Sequence, residues 1–442
     1  MSFPGPVEIR EQLRNNFAAG VAAVDPVRST LRALQAEPPP QVAPAIIALG
    51  KASMGMARAA VDWLDAFGLE PMGGVVVHHE RGTAPHRSLV AVQGDHPHPG
   101  ELSLRAADAL TTFITGLPAS TPVHVFLSGG TSALIAAPRD GLTPHDMQRA
   151  LEQIHAMGLD IATMNSLRRQ LTRWSNGRLA AALGARTVRV WVISDVMGND
   201  LATIGSGPLT TGDGPDPNIT ALLTRTGSGL PESIRAALRR HDDAPIMTVP
   251  HGIVADAAMA RDAVVAASEG TGLRAIGHRE MLVGDARQAG ESLSRWIHAQ
   301  VRRHRLPDRS TGVLVTPVPR EGVLHVWASE TTVQLPSARG LGGRAQQFAL
   351  AAARGLADLA FPEAATILVA GTDGRDGPTD AAGAIVDAGT LARMEALGIN
   401  AEHALDRCDS YPALDAVAAL FRTGHTGTNV ADLVMVWLWN WY

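Results

Sequence analysis

Three carboxylates stand close together in the stretch Gly371 to Ala384, at Asp373, Asp376 and Asp380, with glycines at 371, 374 and 377 between them. Carboxylates clustered on a loop suit a hard cation or a set of hydroxyls, and glycine lets the backbone turn sharply and approach a ligand. The same residues also fit a solvated acidic loop that caps the helix expected to follow. Two other stretches favour anions. Lys51 stands at the tip of the turn made by Gly50, with a helix after it that Ser53 is placed to cap. A lysine there faces the positive end of the helix, although a plain surface lysine fits too. The spacing is not that of a GxxxxGK[ST] phosphate loop. The run Ser128-Gly129-Gly130-Thr131-Ser132 combines two glycines with hydroxyls at a strand end, which makes a backbone nest for phosphate.

Further candidates follow the same logic. Asp195 lies just past an apolar run, where open α/β sheets place ligand-binding groups. Arg344 follows Gly340, Gly342 and Gly343 and opens an amphipathic helix, so its fork and the helix start together suit a carboxylate or phosphate. His96 and His98 flank one proline, but no third ligand lies at a usual spacing, so a proline-stiffened loop lining a cleft fits better than zinc.

The elements that must position these residues alternate along the chain. Apolar runs at 45–49, 74–78, 89–92, 123–127, 188–193 and 365–370 read as strands, as do 273–276, 313–315, 323–328 and 331–335. Helical periodicity runs over 7–34, broken near Pro26, and over 144–184, 253–267 and 285–305. The alternation predicts two α/β units with mostly parallel sheets, divided near 242/243 after a polar stretch at 224–243.

Composition narrows the class. A chain of 442 residues exceeds one ordinary core, and 45% hydrophobic residues can fill two. A net charge of −5 and 4% aromatics argue against a nucleic-acid partner. The single cysteine, Cys408, excludes an internal disulfide and fits a reducing, cytoplasmic setting. No signal peptide and no membrane span are read; the apolar run near Leu433 to Tyr442 is too short, and its Trp437, Trp439 and Tyr442 fit packing or an interface. A small-molecule substrate and a homodimer are the partners expected.

Taken in order, the blocks GKAS (50–53), SGGTSAL (128–134), SDVMGND (194–200), GSGPLT (205–210), SETTV (329–333), GGRAQ (342–346), GTDGRDGPTDAAGA (371–384) and TGTNVADL (426–433) resemble the type II glycerate kinases. The resemblance covers nearly the whole chain. It implies two α/β domains, a Rossmann-like one over 1–242 and a second over 243–442 that contains the MOFRL region at about 310–435, with the active site in the inter-domain cleft. It further implies ATP-dependent, Mg²⁺-dependent phosphorylation of D-glycerate to 2-phosphoglycerate, with the family's proposed catalytic lysine and arginine at Lys51 and Arg344. On that reading Asp195 or Asp373 orients the substrate hydroxyl. Gly50, Ser128, Gly129, Gly130, Ser132 and Gly343 line the nucleotide site, and Asp373 or Asp376 ligates Mg²⁺. The chain departs from the family pattern at Ala345 and Gln347 (usually Asn and Glu), at Ser175-Asn176-Gly177 (Lys-Gly-Gly) and at Gly100 (Asp), all expected in cleft-facing motifs. A hydroxypyruvate reductase, a kinase of another small 2-hydroxy acid and a non-catalytic binder are the alternatives; the absence of GxGxxG argues against the first.

Overall fold

Strand β1, Ala45–Leu49, is apolar at every position and fully buried, as a strand covered on both faces must be. The computed structural model to which it belongs describes residues 5–156, 161–210, 217–226, 230–240, 249–303, 319–336, 338–359 and 364–441. Around β1 stand β2 (Gly74–His78), β3 (Leu89–Gln93), β4 (Val123–Ser128), β5 (Val188–Ile193) and β6 (His251–Ala255), in the spatial order β3-β2-β1-β4-β5-β6. Every neighbouring pair is parallel. One face packs Ile47, Leu49, Val77, Val125, Leu127 and Val192 against helix residues such as Leu110 and Leu183. The strand order reverses between β1 and β4. In a doubly wound sheet of this order the ligand crevice opens there, outside the carboxyl ends of the strands.

The second sheet is built differently. It comprises β7 (Arg274–Gly277), β8 (Leu282–Asp285), β9 (Pro319–Thr332), β10 (Ala365–Gly371), β11 (Gly383–Asp387), β12 (Leu420–Phe421) and β13 (Asp432–Trp441). Its order is β12-β11-β10-β13-β9-β7, with β8 also on β9. The pairs β10–β11, β10–β13, β11–β12 and β13–β9 are antiparallel, while β7 and β8 run parallel to β9. The expectation of mostly parallel sheets therefore holds for the first sheet and fails for the second. Periodicity reports burial, not strand direction, and β10 joins β11 through the acidic loop without the crossover helix that a parallel pair needs. That loop leads into a strand, not into the expected helix.

Several boundaries also shift. The helix expected from Ile253 is Ala257–Gly270, because 251–255 form β6 and the Asp256 side chain caps the helix by accepting from the Met259 amide at 2.8 Å. Pairing of β9 ends at Thr332, short of the expected Leu335. The strand expected at 313–315 lies outside the described residues. Trp437 and Trp439 are buried in β13, which is paired on both sides, so they serve as core packing.

Two compact units result, one of residues 26–255 and one of residues 1–25 with 256–442. The helices Pro6–Ala23 and Pro26–Gln35 fall in different units. The boundary read from sequence, 242/243, lies among undescribed residues. No helix among the described residues is long and apolar enough to cross a membrane.

Candidate active site

In the unit of residues 26–255, the loops after β1, β4 and β5 meet at the switch point. Gly50 adopts φ +115°, and a side chain there would run into Ser128. The Lys51 amide donates to the Gly129 carbonyl at 2.9 Å, which locks the lysine turn to the glycine turn. Ser128 is fully buried; its hydroxyl donates to the Leu49 carbonyl at 3.2 Å and accepts from the Ala52 amide at 3.1 Å. Ser128, expected to bind a ligand, thus holds the turn together. Ser53, expected to cap the helix Ser53–Asp65, instead donates to the Val77 carbonyl at 2.8 Å.

The other candidate residues lie one step further out. Gly130 has φ +86°, and a Cβ on it would stand 3.2 Å from Lys51 Cγ and 3.2 Å from His96 Cδ2. A Cβ on Gly129 would overlap the Asp195 carboxylate. The Ser132 and Ser206 hydroxyls are 2.7 Å apart. Lys51, Gly129, Gly130, Ser132 and Asp195 therefore stand together, and His96 and Ser206 join them. Ser206 has φ +65° between Gly205 and Gly207, also in the left-handed region. Asn176 and Gly177, at a departure from the family pattern, hold that turn through amides to the Ser206 and Gly207 carbonyls at 3.1 and 2.7 Å. His98 is exposed, and no group of three His, Cys, Asp or Glu side chains suited to a metal occurs among the described residues.

In the other unit the acidic loop splits into three environments. Asp376 is buried, and its two oxygens accept from the Ala345 and Gln346 amides at 3.1 and 2.8 Å, capping the helix Arg344–Leu356. A Cβ on Gly343 would overlap that carboxylate. The helix start predicted to bind a ligand anion is thus filled by the chain's own acid, and Gly343 makes room for it. Burial, reinforced by the charge of Asp432, pushes the Asp376 pKa up to about 7 against the amides that favour its charged form. With both oxygens committed, Asp376 does not fit the expected Mg²⁺ ligation. Asp380 is exposed and pairs with Arg422 and the Tyr411 hydroxyl. Asp373 is half-buried; its Oδ1 accepts from the Arg375 amide at 3.0 Å. A Cβ on Gly371 would stand 3.2 Å from Asp373 Oδ1 and 3.4 Å from Asp432 Oδ1, so these two acids flank one point.

Arg344 is paired as well. Its Nε lies 2.8 Å from Asp432 Oδ2 and its Nη2 donates to Oδ1 at 3.0 Å. The charge of Asp432 holds the guanidinium protonated far above physiological pH. Asp432 lay inside a recognised block without a role; its signal is an acid at the first position of a strand after a polar turn. Ala345 and Gln347, expected to face a cleft, are buried, and the Gln347 amide nitrogen donates to the Leu405 carbonyl at 2.7 Å. A cavity of about 1210 Å³ opens beside the helix Ala286–Arg303. Its Arg287 and Arg354 are already paired with Glu291 and Glu402, so the reaction is not placed there.

A parallel sheet in this order, with a lysine and a glycine nest at its switch point, defines a doubly wound nucleotide-type fold joined to a mixed second unit. Residues 12–239 match the family described as a domain of unknown function, DUF4147, and residues 323–432 match the MOFRL family. A provisionally named hydroxypyruvate reductase from Agrobacterium vitis is 34% identical over 97% of this chain and 94% of its own. Glycerate 2-kinase from Pyrococcus horikoshii is 30% identical over 97% of each chain. The crystal structure of glycerate kinase from Thermotoga maritima superposes with a TM-score of 0.81 at 28% identity, covering 98% of this chain and 100% of that one. The chain belongs to the type II glycerate kinase family.

Proposed function

We propose that the protein transfers the γ-phosphoryl group of ATP to the C2 hydroxyl of D-glycerate, giving 2-phosphoglycerate and ADP. The observation that carries this reading is the convergence of Lys51, the Gly129-Gly130 turn and Asp195 at the switch point, in a chain alike over almost its full length to a glycerate 2-kinase. Phosphoryl transfer needs positioning and charge neutralisation more than covalent help. Lys51 neutralises the transferring phosphate. Gly129, Gly130 and Ser132 give it amide and hydroxyl donors. Asp195, lying on Gly129, takes the proton of the attacking hydroxyl. The O–P bond to C2 forms as the bond to ADP breaks.

Arg344, steadied through Nε and Nη2 by Asp432, is the anion-binding group that the reading assigns to the other unit. Magnesium takes oxygen ligands, and half-buried Asp373, beside Asp432, is the carboxylate the reading offers it. Gly50, Ser128, Gly343 and Asp376 act as positioning residues. Phosphorus NMR of the products from purified protein, D-glycerate and MgATP tests the reading. The expected result is 2-phosphoglycerate with ADP. Consumption of NADH with hydroxypyruvate, and none of ATP with glycerate, would instead support the reductase name of the Agrobacterium relative.

A further inference from the structure

We infer that His96 is a further catalytic residue, which donates from Nε2 to an oxygen of the transferring phosphoryl group beside Lys51; the inference rests on the kinase reading. The first ground is position. The Cδ2–Nε2 edge of His96 faces Gly130, with Cδ2 3.2 Å and Nε2 3.3 Å from the point where a Cβ would stand. Lys51 Cγ is 3.2 Å from that same point. The imidazole and the lysine stem thus border one glycine of the phosphate nest, and a side chain at residue 130 would displace both. A group bound at this nest touches whatever His96 presents.

The second ground is how firmly the loop is held. Asp95 Oδ2 accepts from the Leu102 and Ser103 amides at 2.8 and 3.2 Å, and the Ser103 hydroxyl accepts from the Asp95 amide at 3.0 Å. The Gly94 amide donates to the His78 carbonyl at 2.9 Å. Gly94 itself is pressed on the Leu134 carbonyl, so no side chain fits there. Gly100, where the family pattern has Asp, leaves room for the Asp95 carboxylate, 2.7 Å from where its Cβ would be. His96 is therefore preset by packing and backbone bonds on both sides, as a first contact to a developing charge must be. The sequence set His96 and His98 on a proline-stiffened loop lining a cleft, in preference to a zinc pair. The fold separates them, with His98 in solvent and His96 half-buried at the nest.

The test compares His96→Ala and His96→Gln, with His98→Ala as the surface control. His96→Ala should lower kcat on the order of 10²-fold with KM for glycerate changed less than about threefold, because the bond forms to the phosphoryl group in the transition state. His96→Gln keeps a donor and should recover at least about tenfold of that loss. A readout independent of turnover is the imidazole NMR signal that disappears in His96→Gln. Inorganic phosphate titrated into the wild-type protein should move it, and into Lys51→Ala should move it less. A wild-type signal that phosphate leaves in place, or a folded His96→Ala enzyme with kcat within twofold of wild type, overturns the inference. Should the wild-type protein consume no ATP with glycerate, the kinase reading fails, while a phosphate-dependent shift would still place His96 at the anion nest.

Discussion

Arg344 and Asp432 form a close ion pair, in which Nη2 donates to Oδ1 at 3.0 Å and Nε lies 2.8 Å from Oδ2, with the acid 5% exposed and the arginine 35%. The pair fixes the plane of a guanidinium that would otherwise sample many rotamers. Removing the acid strands a cation that keeps some water. Asp432→Ala should therefore cost about 1–3 kcal/mol, less than breaking a fully buried pair. Urea unfolding measures that loss. A fall in kcat of about tenfold or more should accompany it, and an unchanged kcat would remove Arg344 orientation from the account.

Gly129 has a steric reason to stay glycine, because a methyl there meets the Asp195 carboxylate. Gly129→Ala should push Asp195 off its position and cut kcat/KM by about 10² or more, with a stability cost of about 1–3 kcal/mol. Steady-state kinetics beside a melting curve separates the two effects. A rate loss no larger than the stability loss explains would speak against a working contact.

The three acids of the 371–384 loop should behave differently. Asp376→Ala removes the acceptor for two helix amides and should destabilise by about 1–2 kcal/mol while disordering Arg344 at the same helix start. Asp380→Ala, exposed and paired with Arg422, should change stability by less than about 1 kcal/mol and leave turnover alone. Asp373→Ala should raise the Mg²⁺ concentration needed for half-maximal rate. Equal effects from all three would contradict the separation seen in the fold.

Much of the first unit was legible because a buried parallel strand writes itself as a short apolar run, as AIIAL and VHVFL do, and its ligand groups follow directly. Lys51, the Gly129-Gly130 turn and Asp195 were singled out that way, and the fold sets them side by side. Pairing partners far apart in sequence left no such mark. Nothing in GGRAQ shows that Asp376 will cap its helix from 31 residues away, or that Asp432, 88 residues on, will hold Arg344. Strand direction was likewise hidden, since the burial of β10 is the same whether its neighbours run with it or against it.

Acid should destabilise the fold as two partly buried imidazoles take up protons on unfolding. His124 packs between Trp63 and Trp191; burial, then the charge of Arg189, brings its pKa down to about 4. Burial, then His278, brings His325 down to about 4 as well. The unfolded chain takes up these protons near pH 6.5, so stability is complete above that and is lost as pH falls towards 4. Asp376, pushed up to about 7, acts in the opposite direction, since its contribution is lost as pH rises through 7. Two imidazoles against one carboxyl give a net loss on acidification. The melting temperature should fall from pH 6.5 to pH 4, and His124→Phe should flatten the slope; a steeper slope in that variant would reverse the assignment.

The most direct measurement is kcat for glycerate-dependent ADP release by Lys51→Ala, taken with its melting temperature. A protein that melts like the wild type and turns over on the order of 10²-fold or more slower is the predicted result. Turnover near the wild-type value would contradict the claim that the switch point of the parallel sheet holds the transferring phosphate.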